Sequence, residues 1–185
     1  MIEEIIQRAA EKMDKSITNL SAEFATIRTG RASAAMLERI MVDYYGTPTP
    51  VTQLAGVKTP EAHLLLVEPW DKQVMNAMVK AIQASDLGIT PSNDGSVIRL
   101  PFPPPTEERR RELVKQCRQV AEDVKVAVRN ERRDANARLE RLIKEEDASK
   151  DDIKRAQDQV QKITDAHIAQ IDEVLKVKET EVMEV

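Results

Sequence analysis

The chain changes character at Pro101-Phe-Pro-Pro-Pro-Thr-Glu-Glu108, where prolines give way to a charged segment without helix breakers. Thr106 is a good N-cap residue, and Glu107 and Glu108 suit the positive end of a helix dipole. Beyond this point apolar residues recur at steps of three and four through Leu142. The pattern predicts a helix of about 40 residues, ~60 Å long. A helix of that length favours a slender three-helix bundle over a compact globule.

Helix breakers and charges divide the chain into two classes of sequence. All nine prolines lie between Pro48 and Pro105, and all five glycines lie between Gly30 and Gly95. Residues 31–104 carry 6 basic and 7 acidic side chains, whereas the other 111 residues carry 22 and 25. The charge-rich class therefore surrounds the charge-poor one, which predicts a middle domain inserted into a helical domain.

The two other charge-rich helices follow from the same apolar period. The first has its stripe from Ile2 to Ile27 and is expected to end at Gly30, where a left-handed residue fits. The third is expected after a break at Asp147-Ala-Ser149, with Ser149 as its N-cap and an acidic first turn at Asp151-Asp152.

The middle segment carries strand and turn patterns. Strands are predicted at Arg39–Tyr45, closed by turn chemistry at Gly46–Pro50, at His63–Val67, and near Ser96–Leu100. An amphipathic helix is predicted between Asp71 and Gly88. These elements indicate a small α+β domain.

Composition excludes several classes of protein. The chain has 185 residues, 32% of them charged, only 3% aromatic, and a net charge of −4, which indicates long solvated helices. The single cysteine, Cys117, cannot pair within the chain, so a reducing compartment is expected. No apolar run approaches the ~20 residues of a membrane span. Because the N-terminus is acidic and amphipathic, unlike a signal or transit peptide, we expect a cytoplasmic protein without a membrane anchor.

No catalytic or metal-binding pattern is present in the sequence. The glycine spacings of phosphate-binding loops are missing. The two histidines, His63 and His167, fall in different predicted domains, so neither a metal cluster nor a Cys–His pair can be proposed. His167 is interpreted as a core residue at the edge of the bundle. The sequence therefore predicts a protein that is not an enzyme and has no metal or cofactor.

The strongest feature is a row of basic residues on the second helix. Residues 107–133 carry 9 basic against 6 acidic side chains, while residues 145–185 carry 6 against 12. Within the basic region a row of four side chains lies on one helical face, away from the apolar stripe, at Arg118, Lys125, Arg129 and Arg132, flanked by Arg133. Guanidinium groups in a row suit bidentate contacts with phosphates.

Two questions about this row stay open at the level of sequence. It could be a solvated face that is balanced by Glu122, Asp123 and Glu131. If the first and second helices are antiparallel, Arg28 and Arg31 could approach the same part of the bundle.

Some residues of the middle domain have structural interpretations. Met75 and Met78 are expected in its core. Tyr44 and Tyr45 are expected on opposite faces of a strand, one of them available for base stacking. Trp70 is expected to attach a strand end to the small core.

Several multi-residue motifs closely resemble ribosome recycling factor, in the order of that family and across nearly the whole chain. They are Ile27-Arg-Thr-Gly-Arg-Ala-Ser33, Val42-Asp-Tyr-Tyr-Gly-Thr-Pro48, Lys80-Ala-Ile-Gln-Ala-Ser-Asp-Leu-Gly88, Ile98-Arg-Leu-Pro-Phe-Pro-Pro-Pro-Thr-Glu-Glu-Arg-Arg110 and Val128-Arg-Asn-Glu-Arg-Arg-Asp-Ala-Asn136.

The resemblance implies an L-shaped α+β protein of about transfer-RNA dimensions, with a three-helix bundle and an inserted β/α/β sandwich domain. It also implies a monomer that binds the post-termination 70S ribosome. With elongation factor G and GTP, such a factor splits the subunits and releases the message and deacylated transfer RNA. The factor itself hydrolyses nothing and needs no cofactor, because GTP is used by elongation factor G.

Carried over by motif, Arg132 resembles the family's main contact with large-subunit ribosomal RNA. Arg129, Arg133, Arg28 and Arg31 would be supporting contacts. Their role would be neutralisation of phosphates and positioning, without reading of bases.

The resemblance places a hinge at Gly30-Arg31 and Pro103-Pro104-Pro105. The ribosome-binding bundle would comprise residues 1–30 and 105–185, and the inserted domain residues 31–104. Glycine freedom on one strand and proline rigidity on the other would restrict the swing of the small domain. The face of the small domain that meets elongation factor G is left open.

Two alternatives remain. One is a coiled-coil adaptor that binds proteins through its acidic third helix, and the other is a small enzyme within the middle domain. The second has no converging polar residues to support it.

Overall fold

The structure is a computed structural model that describes residues 1–145 and 148–184. The chain forms two compact units. One consists of Met1–Arg28 and Glu107–Glu184, and the other of Thr29–Thr106. Long helices build the first unit, and antiparallel strands with one longer helix build the second, so the predicted α+β class is confirmed.

The helical unit contains α1 (Ile2–Thr26), α3 (Glu107–Glu145) and α4 (Lys150–Glu184), and the small unit contains α2 (Met75–Ala84). The 39 residues of α3 confirm the predicted length, and this helix begins directly after Thr106. Ser149 Oγ accepts a hydrogen bond from the Asp151 N–H at 3.2 Å, which confirms the predicted N-cap of α4. Asp147, in the predicted break, lies outside the described residues.

The first helix ends earlier than the sequence predicted. Its C-cap is Ile27, which is extended with ψ 112°, three residues before Gly30. Gly30 does adopt the expected positive φ of 81°. The backbone therefore leaves the helix before reaching the glycine, and the left-handed residue belongs to the following linker.

Two apolar clusters hold the three long helices together. The first includes Met13, Leu20 and Leu113, and the second includes Ile6 and Leu139. Both draw on all three helices and consist of side chains at the predicted three- and four-residue steps. Within the described residues, burial of this continuous stripe is the main source of stability of the helical unit.

The small unit contains two antiparallel sheets around one apolar core. β1 (Met41–Tyr44) pairs with β2 (Thr47–Pro50). The larger sheet has the order β3 (Ala55–Glu61), β4 (Leu64–Pro69), β6 (Ile98–Pro101) and β5 (Ser92–Asn93). From the helix that follows β4, Met75 and Met78 enter the core, as predicted.

Part of the predicted strand pattern is wrong. Gly46–Pro50 contains a strand, β2, where the sequence indicated only a turn; Pro48 and Pro50 are tolerated because both strands of a two-stranded sheet are edge strands. β3 and the short β5 were not predicted, because β3 contains a glycine and a proline and β5 has only two residues.

Two aromatic residues also lie elsewhere than expected. Tyr45 is outside the strand, in a two-residue turn with Gly46 in which both have positive φ. Its hydroxyl lies 3.3 Å from Asp71 Oδ2, and this carboxylate raises the pKa of Tyr45. Trp70 is 71% exposed and therefore does not attach the strand end to the core.

Both linkers of the small unit are fixed at one hairpin turn. The Ala32 N–H donates to the Ala62 carbonyl, and the Phe102 N–H donates to the His63 carbonyl, each at 2.7 Å. Ala62 and His63 lie between β3 and β4. The chain therefore enters and leaves the small unit at neighbouring points.

A candidate RNA-binding surface

The basic row of α3 lies beside α4 in the structure. Arg118 contacts Glu179, Lys125 contacts Asp172, and Arg132 contacts Gln161, all across these two helices. The row therefore lies outside the apolar stripe, as predicted. Three of its side chains also contact polar side chains of the neighbouring helix, α4.

Carboxylates compensate three of the cations in the row. Arg118 Nε lies 2.5 Å from Glu179 Oε1, and this hydrogen bond raises the pKa of Arg118. Lys125 Nζ lies 2.5 Å from Asp172 Oδ1 and is largely covered. Arg129 Nη1 lies 2.9 Å from Glu122 Oε1 on its own helix. Each of these charges is already neutralised by a partner.

The last arginine of the row and the arginine that flanks it contact neutral amides instead. Arg132 Nη1 donates to Gln161 Oε1 at 3.2 Å. Arg133 Nη1 lies 3.4 Å from Asn130 Oδ1. An amide oxygen accepts a hydrogen bond without cancelling the charge of the donor. Among residues 1–145 and 148–184, no carboxylate forms an ion pair with Arg132 of the row or with Arg133 beside it. We call these two arginines the uncompensated pair, because their positive charge remains available to an anion.

The solvated-face interpretation holds for only part of the row. Of the acids that were expected to balance it, Glu122 pairs with Arg129, but Glu131 binds Lys12 of α1 at 2.8 Å. The other compensating acids, Glu179 and Asp172, come from α4. The acidic composition of residues 145–185 indicates that carboxylates of this helix could balance the basic row. Composition does not show which carboxylate lies opposite which cation.

The structure does not bring Arg28 to the level of the uncompensated pair. The Lys12–Glu131 ion pair places Lys12 of α1 beside the Arg129–Arg133 segment. From Lys12 to its end at Thr26, α1 rises by about 21 Å, and Arg28 follows that end. Arg31 belongs to the small unit. The supporting arginines are therefore not one continuous patch within the helical unit.

Three of the residues named for a hinge, Gly30, Pro103 and Pro105, lie close together. A Cβ atom on Gly30 would lie 3.1 Å from Pro105 Cδ and 3.9 Å from the Pro103 carbonyl oxygen. Glycine is needed at this position both for its positive φ and for this close approach. The two chain segments that link the small unit to the helices are thus in contact with each other.

We also searched the described parts of the chain for a metal site and for membrane-spanning helices. In residues 1–145 and 148–184, no three His, Cys, Asp or Glu side chains are grouped so that they could hold a metal ion. None of the helices in those ranges combines the length and apolar character that a membrane crossing needs. His167 lies at the bundle edge, as predicted, with its Nε2 2.7 Å from Asp14 Oδ1 and its Nδ1 2.7 Å from the Ile163 carbonyl.

Comparisons with known proteins agree on one family. The model of the ribosome recycling factor family matches residues 20–183. Ribosome-recycling factors of Geobacillus thermodenitrificans and Geobacillus kaustophilus are 56% and 57% identical over 185 residues, which is 100% of each chain.

Solved structures give the same result. A solution structure of the ribosome recycling factor is 40% identical with a TM-score of 0.74, and the match covers 100% of this chain and 98% of the other. A second structure places the T. thermophilus ribosome recycling factor and the E. coli elongation factor G on the E. coli post-termination complex. The matched chain is 43% identical with a TM-score of 0.62 and 98% coverage of both chains.

Proposed function

The chain belongs to the ribosome recycling factor family, and we propose from this premise that it splits ribosomes after termination. It binds the post-termination ribosome and, with elongation factor G and GTP, separates the subunits so that message and deacylated transfer RNA leave. The similar structure on a post-termination complex with elongation factor G supports these partners. The protein acts as a monomer in the cytoplasm, where its ribosomal partner works.

The helical unit is the ribosome-binding part of the molecule. The uncompensated pair, Arg132 and Arg133, carries this assignment, because a phosphate gains most from a cation that no carboxylate has neutralised. Arg129 stands next to the pair and can exchange Glu122 for a phosphate, while Arg28 and Arg31 serve as separate contacts. These arginines position the protein on large-subunit RNA without reading its sequence.

The chain supplies no hydrolytic chemistry of its own. The glycine-rich loops that hold nucleotide phosphates are missing from its sequence. The free energy for splitting comes from GTP hydrolysis by elongation factor G, and the recycling factor needs no cofactor. Its mechanical contribution is to bind the large subunit through the bundle while elongation factor G exerts force on the small unit.

The recycling activity is tested by light scattering of post-termination ribosomes. The protein, elongation factor G and GTP are added together and in each incomplete combination. We expect splitting only with the complete set. Splitting without elongation factor G, or none with the complete set and competent ribosomes, would contradict the proposed function.

Replacement of Arg132 tests the RNA contact. Arg132→Ala is expected to weaken binding to 50S subunits about tenfold and to lower the slope of log K against log[salt] by about 0.7–0.9, since one phosphate contact is lost. Arg118→Ala is the matched control, because Glu179 already compensates that side chain. Its binding should stay within about twofold of the wild type. Equal binding by both variants would remove Arg132 from the interface.

Replacement of the proline run tests the hinge. Changing Pro103, Pro104 and Pro105 to glycine releases the fixed φ angles of one linker strand. Because the bundle surface is untouched, binding to 50S subunits should be unchanged, while the rate of subunit splitting should fall several-fold. An unchanged splitting rate would show that linker stiffness plays no part in the mechanism.

A further inference from the structure

We propose that Gln161 of α4 is a positioning residue that holds Arg132 in the geometry for phosphate binding without neutralising it. This inference rests on the proposed function, since it concerns the same contact with ribosomal RNA. It assigns a role to a helix that supplies none of the arginines of the site.

The hydrogen bonds around Gln161 determine which way its amide faces. Gln161 Nε2 lies 2.8 Å from Asp165 Oδ1, one turn further along α4. An ionised carboxylate only accepts hydrogen bonds, so the NH₂ group must face Asp165. The amide oxygen is then left to accept from Arg132 Nη1 at 3.2 Å. Asp165 thus orients Gln161, and Gln161 in turn orients the guanidinium of α3.

The chemistry of the partner is what sets Arg132 apart from the rest of the row. Arg118, Lys125 and Arg129 are held by carboxylates, which would have to be displaced or would repel an incoming phosphate. A glutamine restrains its arginine in the same way but leaves the full positive charge available. An arginine has five N–H donors, so one bond from Nη1 still leaves donors for bidentate phosphate contact.

Prior restraint of a long side chain lowers the entropy that is lost on binding. Ordering a flexible interface side chain weakens association by about two- to tenfold when expressed as a change in Kd. Arg132 is half-buried, and its hydrogen bond to α4 restricts the guanidinium before RNA arrives. Removal of the restraint therefore weakens binding without changing the number of phosphates contacted.

The experiment measures binding to purified 50S subunits over a salt series for Gln161→Leu, Gln161→Glu and the control Gln159→Leu. Gln159 is exposed on the same helix and points about 200° away from Gln161. We expect Gln161→Leu to bind about two- to tenfold more weakly with an unchanged salt slope, and Gln159→Leu to bind like the wild type. Gln161→Glu keeps a partner for Arg132 but cancels its charge, so both affinity and salt slope should fall.

A double-mutant cycle with Arg132→Ala separates positioning from a structural effect. If Gln161 acts through Arg132, adding Gln161→Leu to Arg132→Ala should cause no further loss of affinity beyond about twofold. Helicity and Tm of each variant are compared with the wild type, and both should be unchanged because Gln161 is exposed.

Two results overturn the inference in different ways. Normal binding by Gln161→Leu while Arg132→Ala is impaired, or an equal loss in both backgrounds, would refute the positioning role alone. Normal binding by Arg132→Ala would refute the RNA contact of the proposed function, and the positioning role with it.

Discussion

Arginines on one helix face differ here in the kind of partner that the fold gives them. Arg118 and Arg132 share one helix face, yet a carboxylate holds the first and an amide holds the second. These ion pairs contribute little to stability, because each has at least one partner exposed to water, which screens the attraction. Their larger effect is on the surface potential, since they decide which cations remain available to an anion.

The only cysteine offers a test of burial at the residue scale. Cys117 is fully buried in the bundle core, and this burial raises the pKa of its thiol. The thiolate is the reactive form, so alkylation of the native protein by iodoacetamide should be more than about tenfold slower than that of free cysteine. The rate should begin to rise only at a higher pH than it does for free cysteine. In denaturant the difference should disappear, and rapid labelling of the folded protein would contradict the packing.

The candidate site was predictable only in part from these residues. The spacing of Arg118, Lys125, Arg129 and Arg132 places them on one face, which is a property of any α-helix. Arg129 pairs with Glu122 of its own helix, but the partners of the other three come from α4. Those partners depend on the register of α3 against α4, and helix periodicity carries no information about that register. Gln161 had no signal of its own in the sequence, since a single exposed glutamine on a helix is unremarkable.

At the scale of elements, the long helices and the short strands differ in how fully local sequence determines them. The long helices repeat one apolar pattern over 25 to 39 residues, so their period is unmistakable. β2 and β3 contain proline or glycine and are held by their strand partners and by the core. Their strand conformation is a tertiary effect, which local propensity cannot predict.

The turn between β1 and β2 can be tested through its glycine. Gly46 has φ 85°, so Gly46→Ala forces a left-handed alanine and should lower the free energy of unfolding of the small unit by about 1 kcal/mol. Gly56→Ala is the matched control, because its Cβ would have only an ordinary 3.9 Å contact with Trp70 Nε1. It should be neutral or stabilising by up to about 1 kcal/mol. Urea unfolding followed by the amide NMR signals of the small unit measures both changes. Equal effects of the two substitutions would contradict the strained turn.

At the scale of the whole molecule, the two units have separate cores. The apolar cluster of the small unit draws on residues from Ala32 to Phe102, and the two bundle clusters draw on the chain on either side. The chain enters and leaves the small unit at neighbouring points, since Gly30 and Pro105 approach each other closely. An insertion of this kind can be exchanged for a short connection without stretching the helices.

Excision of the small unit tests this separation. Replacement of residues 31–104 by a short Gly-Ser linker should leave a helical protein that unfolds cooperatively, as measured by circular dichroism at 222 nm. Under the proposed mechanism it should still bind 50S subunits through the bundle, with a loss limited to the contact of Arg31. It should not split ribosomes, because the unit on which elongation factor G acts is absent. A molten or unfolded product would show that the bundle depends on the small unit for its stability.

The insertion also sets the order in which the chain can fold while it is being made. About 80 residues separate the end of α1 from the start of α3, which takes roughly 4–16 s of synthesis. The small unit is continuous in sequence and has all its strands before α3 begins to emerge. During that interval Ile6, Met13 and Leu20 have no partners and present a bare apolar stripe. The first helix to be synthesised therefore waits longest for its packing partners, and its exposed apolar stripe makes this the interval in which the nascent chain is most prone to aggregate.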